Sequence, residues 1–322
     1  MYVDTRLGGV KRYYANQPKD YNMRIQNAFL DCVVFLISHP TLGIDKPEGT
    51  AFLFGIPLKK EDQEVTAREG FMGFYYLVTA GHVATALRGK SFTILVNNKD
   101  GQTRIKCDEE NKWIFHEDPT VDVAVMNCPF REEDKLTVRG LSSQNLAITP
   151  DKINRLGIGI GDEVFSVALF ADFIDTKKNW PILRTGSIAM MPEDKLEIKI
   201  SGDWVKAEVY LVESRSIGGM SGSPVFVVPT PGAKSDGTIS GYLQAVPRET
   251  YLLGLTHGHW DIEYKVPNLH LHGGFTQVDV NSGICVVIPA TKIMETIYQP
   301  KLEQEREKSR QEWLEKNGPK PD

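Results

Sequence analysis

Turn residues interrupt this chain every few positions, and that punctuation constrains its fold more than any other feature. From Asp31 onward, short apolar, aromatic and β-branched runs are separated by Gly, Pro, Asn and Asp, the pattern of an all-β sandwich or barrel. A first set, DCVVFLIS, TAFLFGI, FYYLVTA, SFTILVN, TRIKC, KWIFH and VDVAVM, fills residues 31–127. A second, EVFSVALF, PILRTGSIAMM, LEIKI, VKAEVYLV, SPVFVV, YLLGLT and GICVVI, occupies residues 163–288. Two sets of strands of this size predict two similar barrels, one at residues 29–130 and one at 158–290.

The polar segment 131–157 has no sustained period and reads as the crossover linker between them. Residues 291–322 are expected to form a C-terminal helix and charged tail. Ile293, Met294 and Ile297 share a helical face, and Pro300 breaks or restarts the helix. Beyond it, the pairs Glu303/Arg306, Glu305/Lys308 and Glu307/Arg310 support a solvated helix. Residues 1–28 read as an N-terminal extension or a partner-binding arm.

With 37 Lys and Arg against 42 Asp and Glu, the net charge of −5 offers no basic field to attract nucleic acid or an anionic membrane. The amino terminus carries charges early and lacks the apolar segment of a signal peptide. CVVFLI and FYYLVTA are too short to span a bilayer. The four cysteines, Cys32, Cys107, Cys128 and Cys285, form no CxxC pair and read as reduced strand residues. A cytoplasmic, soluble protein is the expectation.

The chemistry concentrates in three short stretches. GGMSGSPVF (218–226) sets a glycine-rich turn directly against an apolar strand. A serine hydroxyl needs a base beside it and donors for the oxyanion that forms; the turn offers Ser221 as nucleophile, with the amides of Gly219 and Ser221 as an oxyanion hole. In FYYLVTAGHVATAL, a strand runs into His82, a general base available near neutral pH. In DPTVDVAVM, Asp122 opens a strand and can orient an imidazole, whereas Asp118 precedes a proline and reads as a turn residue.

Taken together, TAGH, DVAV and GMSGSP resemble the T-A-x-H, D-hydrophobic-A and G-x-S-G-[GS]-P motifs of the chymotrypsin-like, or trypsin-like, serine peptidase family. GIGIGDEVFSVALF (157–170) is similar to the opening strand of the second barrel in the bacterial, disulfide-free branch that includes the HtrA-type enzymes. The resemblance implies an all-β fold of two six-stranded antiparallel barrels with a C-terminal helix, and the triad His82, Asp122 and Ser221 in the cleft between them. It implies a serine endopeptidase acting on a protein or peptide through an acyl-enzyme, with no cofactor and no metal. It further implies a primary pocket beside Arg215, with Thr256, His257 and Gly258 as one wall. Val83 stands where secreted trypsins carry a cysteine, and the segment after Ser221 leaves no room for a PDZ domain.

Two other readings compete. A latent or partner-regulated binding module would keep the fold but await a regulatory protein, using the N-terminal arm, the crossover or the insert 229–246 as contact surfaces. A metal-dependent hydrolase would instead use His257, His259, His270 and His272 with Asp261, two H-x-H pairs whose members share a face if extended.

Overall fold

The computed structural model describes residues 25–317 except 42–43, 59–72, 109–111, 131–133, 144–147, 170–176, 201, 215–217, 231–248 and 268–274. Most of residues 1–28, Arg215, His270, His272 and nearly all of the insert 229–246 therefore lie outside the described residues.

The first half is built from β1 (Val33–Thr41), β2 (Ile44–Pro57), β3 (Gly73–Thr79), β4 (Phe92–Asn98), β5 (Gly101–Cys107), β6 (Ile114–Phe115), β7 (Ala124–Asn127) and β8 (Leu141–Ser142). They form an eight-stranded sheet in the order β5-β4-β1-β2-β3-β7-β6, with β8 from the crossover pairing parallel to β2. Val33–Ile37 and Ala51–Phe54 are buried without alternation, as expected of strands covered on both faces. The edge strands differ from the centre. β5 alternates in exposure and β6 has two residues, and among the described residues the two are not paired, so the described pairings do not close a first barrel.

The second half forms the expected six-stranded antiparallel barrel. β9 (Glu163–Leu169), β10 (Pro181–Met190), β13 (Tyr210–Glu213), β14 (Pro224–Val228), β15 (Tyr251–Pro267) and β16 (Phe275–Pro289) close in the order β10-β13-β16-β15-β14-β9. The run VKAEVYLV divides: its first part belongs to β12 (Asp203–Ala207), which pairs with β11 (Leu196–Ile200) as a separate hairpin, and its second part is β13. β15 and β16 continue past the barrel as a long ribbon, paired as far as Pro267 and Phe275.

Among the described residues, five helices decorate this frame: α1 (Asn27–Leu30), α2 (Gly81–Leu87), α3 (Pro150–Leu156), α4 (Ala290–Ile297) and α5 (Pro300–Asn317). In the crossover, α3 is capped by Thr149, whose side chain accepts from Lys152 N, and ends at Gly157 with φ 65°. The C-terminal helix divides at Pro300, which begins α5. Buried side chains from both halves form one connected hydrophobic cluster. The four cysteines are free. Among the described residues, no helix is long and apolar enough to cross a membrane.

Candidate functional site

The end of β3 delivers the TAGH stretch to the seam between the halves. Thr79 is the last strand residue, Ala80 is the N-cap of α2, and His82 lies in the first turn. Asp122 arrives from the neighbouring element, just before β7, whose pairing with β3 sets Ala124 opposite Thr79. The buried Asp122 carboxylate accepts twice from His82, at Oδ1 from the backbone N–H (2.7 Å) and at Oδ2 from ring Nδ1 (2.8 Å). These two bonds fix the ring plane and turn the Nδ1 proton to the carboxylate, with Nε2 on the other side of the ring.

The turn containing Ser221 enters from the second half and is held on the first by backbone and hydroxyl bonds. Thr50 N–H donates to the Ser221 carbonyl (2.9 Å), and Thr50 Oγ1 donates to the Gly219 carbonyl (2.8 Å). Thr79 Oγ1 in turn donates to the Thr50 carbonyl at 2.7 Å. Gly222 sits with φ +83°, and a Cβ there would run into Thr50 O and Thr79 Oγ1. Only glycine meets both demands, the left-handed backbone and the close approach. Gly219, with φ +88°, makes the second left-handed step of the turn.

A fourth side chain joins this cluster. His257 Nδ1 lies 2.5 Å from Asp122 Oδ2, the oxygen that also receives His82, and the two imidazoles meet edge to face with centroids 5.3 Å apart. Its Nε2 reaches the Lys199 carbonyl of β11 at 3.1 Å. Ser221 Oγ donates to the His257 carbonyl at 3.0 Å. The structure thus brings Asp122 into contact with His82 and sets Ser221 beside them through the backbone of His257; among the described residues, the Ser221 hydroxyl bond goes there and not to His82.

Burial alone would raise the Asp122 carboxyl, but hydrogen bonds and charge from His257 and His82 more than offset it and hold it well below the carboxylate range. For His257, burial disfavours charge; the Asp122 bond and charge, with the Lys199 carbonyl, outweigh it and raise the imidazole above its ordinary value.

The other expected site residues separate. Thr256 is fully buried, its backbone bonded to Ser223 O and Gly222 N. Gly258 faces open space. His259 pairs instead with Asp261 at 3.1 Å. His82, Asp122 and His257 place ligand-type atoms within 4.8 Å of one another. Both Nδ1 atoms stand at hydrogen-bond distance from one carboxylate oxygen, an acceptor to which a protonated ring nitrogen can donate. His257 was legible as a wall residue and as one member of an H-x-H pair; no local motif marks its bond to Asp122.

No protein-family model and no curated protein matches the chain. Among solved structures, the inactive form of a serine-to-alanine mutant of Rv3671c from M. tuberculosis H37Rv is similar at 15% identity and a TM-score of 0.42, over 87% of this chain and 93% of that one. At that level the chemistry rests on the side chains themselves.

Proposed function

We propose that the chain is a serine endopeptidase of the chymotrypsin-like kind, with its site at the seam of two β-rich halves, and that Ser221, His82 and Asp122 carry the reaction. The observation that carries this reading is the double acceptance of His82 by a buried Asp122, next to a serine on a turn whose glycine conformation has a steric cause. In the reaction, Ser221 Oγ bonds to the substrate carbonyl carbon while His82 Nε2 takes its proton. Asp122 balances the imidazolium that results. The amides of Gly219 and Ser221 hold the oxyanion. His82 then gives its proton to the departing amine as the C–N bond breaks. Water repeats the sequence on the acyl-enzyme, releasing the acid and restoring the Ser221 hydroxyl. Gly258, facing open space, lines the substrate beside Ser221.

A specific observation favours the partner-regulated variant of this reading. Ser221 donates to the His257 carbonyl, which cannot serve as a base, so attack requires the hydroxyl to turn to His82. A substrate or partner that displaces this bond would start the reaction. Labelling with a fluorophosphonate probe, read by intact mass, tests both forms. Wild type is expected to gain one adduct, and Ser221→Ala and His82→Ala none. Adduct only after a peptide substrate or cell extract is added would identify the regulated form, and a folded wild type unlabelled under every condition would sink both.

A further inference from the structure

His257 occupies an unusual backbone position. Across the β15–β16 pairing, Thr256 faces Val287 and Gly258 faces Val286, so His257 is the extra residue of a β-bulge. A bulge releases one residue from the ladder and re-aims its side chain. Here the released ring turns to Asp122 and the released carbonyl to Ser221. One residue therefore touches both ends of the group assigned to catalysis.

The ring's partners determine its protonation. Nδ1 faces a carboxylate oxygen and Nε2 faces a backbone carbonyl. Both partners are acceptors only, so both ring nitrogens must donate. We propose that His257 is a positioning residue, held as an imidazolium that clamps Asp122 beside His82, is anchored to β11 by its second N–H, and parks the Ser221 hydroxyl on its own carbonyl. Among the described residues, the charged and titratable groups that face its ring are Asp122 and His82; β11 contributes the Lys199 carbonyl. The direction of the His257 shift agrees with this geometry.

The catalytic consequence rests on the serine peptidase reading; the protonation state does not. A cation beside the Asp122–His82 pair shares the carboxylate charge and opposes a second positive charge on the neighbouring ring 5.3 Å away. Loss of the cation leaves the whole of the Asp122 charge to His82.

Two measurements on the full chain separate the possibilities. Nitrogen NMR of histidine-labelled wild type is expected to show one ring doubly protonated at pH 7.5, absent from His257→Asn and neutral in Asp122→Asn. Fluorophosphonate labelling from pH 5 to 9 is expected to slow at least tenfold in His257→Ala at pH 7.5. His257→Asn, which keeps a donor at the Nδ1 position, is expected to recover most of that rate. A neutral His257 ring at pH 7.5 would overturn the proposal, as would a wild-type rate and profile in a folded His257→Ala. Wild type unlabelled at every pH would remove the peptidase reading, and the NMR result would still decide whether His257 is the clamp.

Discussion

Asp122 and His257 link the fold to pH with opposite signs. The folded Asp122 carboxyl is depressed, so its contribution is complete above the unfolded value near 4 and is lost as pH falls through the folded value. The folded His257 imidazole is raised; its contribution is complete below the unfolded value near 6.5 and is lost as pH rises through the folded value. The pair therefore stabilises the chain most between about pH 4 and 6.5. Urea midpoints from pH 3 to 9 are expected to fall on both sides of that window in wild type, with the alkaline fall absent from His257→Asn. An alkaline limb unchanged by the substitution would assign it to another group. This pair also marks the limit of what local sequence reveals. TAGH, DVAV and GMSGSP each carry their side chain at a fixed place relative to a strand end, so His82, Asp122 and Ser221 could be singled out as candidates. The bond from His257 to Asp122 could not, because a strand without a bulge would put His257 and His259 on one face. The extra residue between Thr256 and Gly258 sends their rings to Asp122 and Asp261 instead.

At the level of elements, α5 corrects the expectation of a fully solvated helix. Of the expected pairs, Glu307–Arg310 forms at 2.9 Å, Glu303–Arg306 is loose at 4.0 Å, and Lys308 pairs with Glu312. Arg306 itself is buried, donating to Tyr76 Oη (2.9 Å) and the Ile297 carbonyl (2.7 Å) with its guanidinium against the Tyr76 and Tyr298 rings. The charge pattern is the same for a solvated arginine and for one that docks a helix; only the tyrosines brought up by β3 and α4 distinguish them. Arg306→Ala leaves a buried carbonyl and a buried hydroxyl without this donor, at a cost of about 1–3 kcal/mol, and removes cation–π contact. Denaturation is expected to show that loss, and amide exchange to quicken along α5, while Ser221 labelling keeps its wild-type rate. Slow exchange retained in α5 would mean that other contacts, Leu302 among them, hold the helix alone. The strands tell a similar story: VKAEVYLV is apolar enough to read as one strand, yet Glu208 and Val209 divide it because its two parts pair with different partners, β11 and β16.

Across the whole molecule, the two strand sets were legible because turn residues divide them, but closure was not, since it depends on whether distant edges meet. The second set closes; the first ends in a two-residue β6. The joint between the halves was equally hidden, for nothing in GTAFLFG marks Thr50 as the residue that holds the serine turn. Its hydroxyl donates to Gly219 O across the seam and accepts from Leu169 N at 3.4 Å. The bond to Gly219 orients the Gly219–Met220 peptide, which lies between the two amides that would form the oxyanion hole. Thr50→Val keeps the side-chain shape and removes only that hydroxyl. Unfolding free energy is expected to fall by about 1–2 kcal/mol, and labelling of Ser221 by roughly 10- to 100-fold, because misplaced donors cost rate steeply. Thr50→Ser restores the hydroxyl and is expected to recover the rate. If Thr50→Val loses stability yet labels as fast as wild type, the bond serves only to hold the halves together, and the turn keeps its geometry from Gly222 and the backbone bond between Thr50 and Ser221.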